Sequence, residues 1–309
     1  MTAVGRLQFS QGDWRLAAYS VRSPSGFRRD RVAGLRCRFT TVRYDVDRVV
    51  GEISAAADEF LRPRFRSLGF QDVREKSAGE VVTVADEECE AALGPALIAS
   101  VPGSVLVGEE AAARDPALIN QLSGTGPVWL LDPLDGTSAF IEGSPDYAIM
   151  AALIVDGVTV LSVIHQPEHE LTYVAERGSG AYETHTGTRL VATDRSPSEE
   201  LLGSVMKRFL PDDIRRTIEH HESNFTSLTP HTTSAGIEYP AIACGERDFM
   251  LYWRLLAWDH APGVLLLTES GGVAAHLDGR PYRPTNQCEG LLVARSPERW
   301  EEARLKLGV

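Results

Sequence analysis

The clearest chemistry in this chain lies in the run Val128-Trp129-Leu130-Leu131-Asp132-Pro133-Leu134-Asp135-Gly136-Thr137-Ser138. Four apolar residues, readable as a buried strand, lead into two aspartates three positions apart and then into Gly-Thr-Ser. Paired carboxylates at the end of an apolar strand fix negative charge beside a core, which is costly unless a cation neutralises it. An all-oxygen donor set suits a hard ion such as Mg2+, which keeps coordination positions for water and phosphate. Gly136 lets backbone N–H groups approach an anion closely, and Thr137 and Ser138 add hydroxyls where a helix would start. Metal and phosphate together are the chemistry this run suggests.

Two further acidic points follow the same logic. Glu109 comes directly after the strand-like Val105-Leu106-Val107 and Gly108. Asp259 follows Trp258 and precedes Glu269-Ser270-Gly271-Gly272. Taken singly, a Gly-Glu-Glu at a strand end is a solvated turn, and an Asp in a first helical turn is a cap or dipole partner. Their order with the aspartate run makes the set more specific than any member. Other conspicuous residues read more plainly. His165-Gln166-Pro167-Glu168-His169-Glu170 reads as a solvated turn, and His220-His221 as a helix end facing its carbonyls. His260 either supports Asp259 or packs, and Tyr239, Phe249 and Tyr252 are core or pocket-wall residues.

The elements that position these residues are legible from periodicity. Val49, Val50, Ile53, Ala57, Phe60 and Leu61 recur at helical spacing. Asp86 is expected to cap a helix reaching Ser100, weakened at Gly94-Pro95. A β-rich stretch follows the aspartate strand: 147–155 and 158–166 flank the hairpin signal Asp156-Gly157, then 171–175 and 180–183. Past Arg189 the pattern becomes strand–helix alternation: strands at 201–207, 248–253, 273–276 and 290–294, helices at 211–221, 234–244, 258–270 and from Ser296-Pro297 to Gly308. That alternation predicts a mixed or parallel sheet covered on both faces.

Composition limits the function. With 309 residues, 43% of them apolar, the chain can bury a substantial core in two lobes. A net charge of −12 argues against a nucleic-acid polymer as partner. Cys37, Cys89, Cys244 and Cys288 form no CxxC pair, so neither a zinc site nor a disulfide framework is indicated, and a reduced, cytoplasmic compartment is expected. No apolar run reaches the length of a membrane span. Residues 1–43 differ from the rest, with nine arginines against two aspartates. They read as a partly disordered Arg-rich extension rather than an organelle transit peptide.

From Asp45 to its C-terminus the chain resembles the inositol monophosphatase family. The family belongs to a superfamily that also holds fructose-1,6-bisphosphatases and 3′-phosphoadenosine 5′-phosphate phosphatases. The matching pieces, in order, are Lys76 with Val82-Thr83-Val84-Ala85-Asp86, then Gly108-Glu109-Glu110, Trp129 to Thr137, Trp258-Asp259, and Glu269 to Gly272. The resemblance implies an α/β (α+β) fold, a layered α-β-α-β-α sandwich of the sugar phosphatase type. Its lobes would be residues 44–188, with most metal ligands, and 189–309, with Asp259 and the specificity residues.

The resemblance also implies roles. Glu109, Asp132 and the carbonyl of Leu134 would bind one Mg2+; Asp132, Asp135 and Asp259 would bind a second, within a complement of two or three ions. Glu109 and Thr137, the latter hydrogen-bonded to Asp86, would orient and deprotonate the attacking water. The backbone N–H groups of Gly136 and Thr137 would hold the phosphate. The expected protein is a lithium-sensitive, cytoplasmic homodimer acting on a small phosphorylated metabolite. Hydrolysis of fructose 1,6-bisphosphate, histidinol phosphate or 3′-phosphoadenosine 5′-phosphate, or a non-catalytic metal-binding regulatory role, are the alternatives. An aspartyl-phosphate mechanism fits less well, because its aspartates lie two apart rather than three across a proline.

The specificity region departs from the family. Inositol phosphatases carry a Glu six residues before the Trp-Asp pair, where this chain has Tyr252, and Arg254 lies two residues on. Ser234 and Ala235 occupy the small-residue substrate loop. Replacing an acceptor carboxylate by a phenol beside a cation should favour an anionic or flatter substrate group over neutral polyol hydroxyls. An ion pair is the alternative role for Arg254.

Overall fold

The computed structural model describes residues 32–36, 41–77, 80–192, 200–226, 228, 234–286 and 288–309. The N-terminal part of the Arg-rich segment, residues 1–31 and 37–40, lies outside the described residues. Its remainder contributes an antiparallel pair, β1 (Val32–Arg36) and β2 (Thr41–Asp45). Asp45 then caps α1 (Val46–Ala56), whose turn of wider helix, Ala57–Leu61, completes the apolar stripe read from the sequence. A second hairpin, β3 (Val73–Ser77) and β4 (Glu80–Thr83), leads into α2 (Val84–Ser100).

The main sheet has seven strands. In chain order they are β5 (Val105–Gly108), β6 (Pro127–Asp135), β7 (Ala148–Val155), β8 (Val158–Gln166), β9 (Leu171–Glu176), β10 (Gly180–Glu183) and β11 (Arg189–Leu190). They lie in the spatial order β11 to β5, with only β5–β6 parallel. The helices α3 (Glu109–Arg114) and α4 (Thr137–Glu142) leave the ends of β5 and β6. Asp156 and Gly157 both take positive φ, 50° and 72°, in the two-residue turn that the Asp-Gly pair predicts.

The second sheet comprises β12 (Gly203–Val205), β13 (Phe249–Tyr252), β14 (Val273–His276) and β15 (Leu291–Ala294), in the order β12-β13-β15-β14, with only β12–β13 parallel. The helices of this region are α5 (Asp212–His221), α6 (Ala235–Ala243), α7 (Ala257–Glu269) and α8 (Pro297–Leu307).

Side-chain alternation explains the layering. Ile149, Ala151 and Leu153 of β7 pack with α1 and α2, whereas Ala148 and Met150 of the same strand pack with α6 and α7. Met250 and Tyr252 of β13 also face α6 and α7, while Phe249 and Leu251 face α8. The order is therefore α1/α2, seven-stranded sheet, α6/α7, four-stranded sheet, α5/α8: the α-β-α-β-α sandwich. Among the described residues no helix is long and apolar enough to cross a membrane.

Two sequence expectations, on Asp86 and on His165, are corrected. Asp86 does not cap α2; Thr83 does, and Asp86 at the third helical position reaches back to the Thr83 N–H at 2.8 Å, the reciprocal half of a capping box. Gly94-Pro95 lies inside a continuous α2, and a Cβ at Gly94 would stand 2.7 Å from Leu106 of β5. His165 is not in a solvated turn: it is buried on β8, with Nδ1 2.8 Å from Thr172 Oγ1, and burial lowers its pKa to about 4.

Candidate active site

Asp132 and Asp135 should point to opposite faces of an ideal strand, since they lie an odd number of residues apart. The register of β6 against β7 shifts between them, and this irregularity turns both carboxylates into one cavity. Gly136 follows with φ 88°, a conformation natural to glycine, and a Cβ there would stand 2.9 Å from Asp146 O and 3.0 Å from Ser234 Cβ. Glu109 arrives from the end of β5. Gly108 is required because a Cβ would collide with the Glu90 carboxylate, whose two oxygens accept from the N–H groups of Glu110 and Ala111, each at 2.8 Å. Asp259 enters from the first turn of α7, which crosses from the other half of the chain.

Glu109, Asp132, Leu134, Asp135, Gly136, Thr137, Ala235, Tyr252, Arg254 and Asp259 thus line one cavity of about 170 Å3. Asp86 stands behind it, accepting from Thr137 Oγ1 at 3.1 Å, while the same hydroxyl lies 3.0 Å from Leu134 O. Ser234 does not line the cavity; its hydroxyl donates to Asp135 Oδ2 at 2.5 Å, and Gly236 N–H donates to the same oxygen at 2.6 Å. Ser234 therefore positions a carboxylate.

The electrostatics are those of crowded acid groups. Burial first, then Glu109, Asp135 and Asp259, raise the pKa of Asp132 well above the carboxylate range. Asp259, partly open to the cavity yet deep in the molecule, is raised by burial, Glu109 and Asp135, with Arg254 and Lys76 opposing. Asp135 is pushed up to about 6 by burial, against the hydrogen bonds from Ser234, Gly236 and Ala235. Asp86 is raised to about 7, chiefly by burial, against its bonds from Thr83. Such a cluster is stable as anions only beside positive charge.

One such charge was not given a role from the sequence. Lys76 of β3 places Nζ 2.5 Å from Glu109 Oε1 and 2.7 Å from Glu110 Oε1. Burial lowers its pKa, but the two glutamates outweigh burial and raise it. Among the described residues no three His, Cys, Asp or Glu side chains already close on one point as a finished metal cage. The all-oxygen donor set, its burial and its mutual repulsion nevertheless fit a hard divalent cation. Glu80, Arg208 and Phe209 also line the cavity and were missed, because nothing in their local sequence marks them. The alternative read for Arg254 is present: it pairs with Glu80 across the cavity mouth. His260 hydrogen-bonds Tyr239 through Nδ1 at 3.0 Å and faces Arg254 O with Nε2 at 3.3 Å; burial lowers its pKa to about 4.

A layered sandwich that gathers Glu109, Asp132 and Asp135 from the ends of two strands and Asp259 from a helix start, beside a glycine-started helix, defines a class of phosphatases. The profile of the inositol monophosphatase family matches residues 44–307, so the chain belongs to that family. The family is generally metal-dependent, and this chain is a phosphatase of that family. A Thermotoga maritima protein named fructose-1,6-bisphosphatase/inositol-1-monophosphatase is 32% identical over 153 residues, 50% of this chain and 58% of that relative. A Pseudomonas aeruginosa protein named Nus factor SuhB is 29% identical over 230 residues, 72% of this chain and 82% of its own length. Bacillus subtilis inositol-1-monophosphatase is 28% identical over 205 residues, 66% and 75% respectively. Among solved structures, an IMPase of Thermotoga maritima superposes with TM-score 0.70 at 24% identity, covering 85% of this chain and 97% of the other. The extragenic suppressor protein suhB from Bartonella henselae gives 0.70 at 22%, covering 84% and 97%. These structural likenesses establish the fold.

Proposed function

We propose that the protein hydrolyses a small phosphomonoester with Mg2+, using an activated water and no phosphoenzyme. The observation that carries this reading is the single cavity lined by Glu109, Asp132, Leu134, Asp135, Thr137 and Asp259. Glu109, Asp132 and the Leu134 carbonyl would hold one ion, and Asp132, Asp135 and Asp259 a second, with Asp132 shared. Bound ions would lower the pKa of the attacking water and stabilise the leaving oxygen. The Thr137 hydroxyl, anchored by Asp86 and Leu134 O, orients that water, and Glu109 accepts its proton. The Gly136 and Thr137 N–H groups bind the phosphate oxygens. Asp135 is kept in place by Ser234 and Gly236, and Lys76 holds Glu109 against the repulsion of its neighbours.

The reading includes a cytoplasmic homodimer inhibited by lithium, a hard cation suited to the same all-oxygen site. It is tested by phosphate release from a panel of sugar, inositol and nucleotide phosphates with Mg2+ or with chelator. Metal-dependent release from at least one ester is expected. Its absence from all of them would refute the proposed substrate class.

A further inference from the structure

Asp259 sits in a stretch of α7 that the helix itself holds poorly. Among the described residues α7 has no side-chain cap, because its flanking residue Leu256 offers no oxygen to the free N–H groups of the opening turn. Pro262, the sixth residue of the helix, has no N–H to return to the carbonyl of Trp258, so a backbone bond beside Asp259 is missing as well. The direction of this carboxylate must therefore be fixed by side chains.

His260 supplies the hold. It is 2% exposed, with Nδ1 3.0 Å from the Tyr239 hydroxyl and Nε2 3.3 Å from the carbonyl oxygen of Arg254. A carbonyl can only accept, which assigns the hydrogen of the neutral ring to Nε2 and leaves Nδ1 to accept from Tyr239. The first contact ties the opening turn of α7 to α6, and the second ties it back to the loop that enters the helix. We infer that His260, clamped between Tyr239 and the Arg254 carbonyl, is a positioning residue that sets the direction from which Asp259 enters the cavity. Through that direction it sets the affinity for the divalent ion that Asp259 would hold. The inference rests on the proposed role of Asp259 as a metal ligand.

The surroundings of the ring support this role. Tyr239 is fully buried and lies against the bare backbone of Gly263 in α7, where a Cβ would stand 2.1 Å from Tyr239 Cδ2. Tyr239 also stacks on Tyr252, with centroids 5.4 Å apart, and Tyr252 meets the imidazole edge-on at 4.7 Å. The hydroxyl of Tyr252 has no hydrogen-bond partner among the described residues, so Tyr252 supports the ring by packing alone. Two hydrogen bonds inside this aromatic box select one orientation of His260. An apolar side chain would fill the same space without the cost of burying two ring nitrogens, so packing does not account for a histidine here. His260 also borders the cavity, yet both nitrogens are engaged and neither is left for a substrate or an ion. It acts on the site through Asp259.

The test uses the full chain, stripped of metal and titrated with Mn2+, a hard divalent ion that takes oxygen ligands. Free Mn2+ is followed by electron paramagnetic resonance, and the Tm of each metal-free variant is measured beside it. Asp259→Asn identifies the binding step that depends on Asp259. In His260→Ala that step should weaken about tenfold, the lower end of what supporting residues contribute at metal sites, while the other step moves by less than about twofold. Tyr239→Phe, which keeps the ring and loses the hydroxyl, should weaken the same step about threefold, the scale of one hydrogen bond. His260→Gln places an amide N–H where Nε2 stands and should restore most of the affinity lost in His260→Ala.

A histidine that served packing alone would lower the Tm of the metal-free protein and leave the binding steps where they were. That result would overturn the positioning role, as would equal weakening of every step in His260→Ala or failure of His260→Gln to improve on it. If His260→Ala does not fold, Tyr239→Phe decides: an unchanged Asp259-dependent step overturns the role. If the parent binds no Mn2+, or Asp259→Asn alters no step, Asp259 is not a metal ligand and the role of His260 falls with it.

Discussion

Thr137→Ala separates water activation from simple helix initiation. The Thr137 hydroxyl lies 3.1 Å from Asp86 Oδ1 and 3.0 Å from Leu134 O, and its one proton can serve only one of them at a time. Asp86 keeps its contacts to Thr83 N at 2.8 Å and Oγ1 at 2.6 Å when Thr137 is truncated, so the start of α2 survives, and α4 has no side-chain cap to lose. The stability lost should therefore be about 1 kcal/mol, the net value of one hydrogen bond. A hydroxyl that orients the attacking water predicts a much larger effect on rate. Proton-transfer assistance contributes about 10²–10⁴-fold, and the loss in kcat should lie on that scale. Converted at 1.36 kcal/mol per tenfold, this raises the barrier by about 3–5 kcal/mol, several times the stability cost. Phosphate release on the best ester of the panel gives kcat, and urea denaturation gives the stability. Thr137→Ser, which keeps the hydroxyl, should recover most of the rate. A kcat for Thr137→Ala within about fivefold of the parent, at the expected stability loss, would refute the water-orienting role and leave Thr137 as a structural residue.

Asp132→Asn should abolish Mg2+ binding by calorimetry while the circular dichroism of the metal-free protein is retained, because the removed charge is the one repelled by Glu109, Asp135 and Asp259 together. Undiminished Mg2+ binding would remove Asp132 from the ligand set. The metal-free protein should lose stability from Asp135 and Asp86 as pH rises from about 4, where the unfolded carboxyls ionise, through their folded values of about 6 and about 7. Burial raises both folded pKa values, so the protonated forms favour the folded state and their contribution is fully present only below the unfolded pKa. Mg2+ needs the ionised Asp135, so the difference in Tm between Mg2+ and EDTA should widen as pH rises from about 4 through about 6; a constant difference would show that Asp135 does not bind the metal. Gly136→Ala should cost at least about 1–2 kcal/mol for its left-handed backbone alone, with further loss from contact with Asp146 O and Ser234 Cβ. Thermal melts of the metal-free variant check this, and an unchanged Tm would contradict the geometry of the turn.

The elements and the local chemistry follow from short stretches of the chain alone. The apolar run into Asp132, the Asp156-Gly157 turn and the helical stripe of α1 all rest on short-range rules: side-chain period, positive φ and capping. The ordered acidic motifs were likewise enough to place the chain in its family. What the local rules could not supply were relations across the layers. Asp132 and Asp135 share a cavity only because β6 slips its register against β7, and that slip depends on the partner strand. The bond from the Ser234 hydroxyl to Asp135, 99 residues earlier in the chain, comes only from the packing of α6 against β6. Lys76 on Glu109, Glu80 with Arg254, and Phe209 beneath two arginines each join residues from different layers or loops. Desolvation and charge balance depend on such three-dimensional neighbours, so the raised pKa of Asp86 and the orphaned hydroxyl of Tyr252 exist only in the folded molecule.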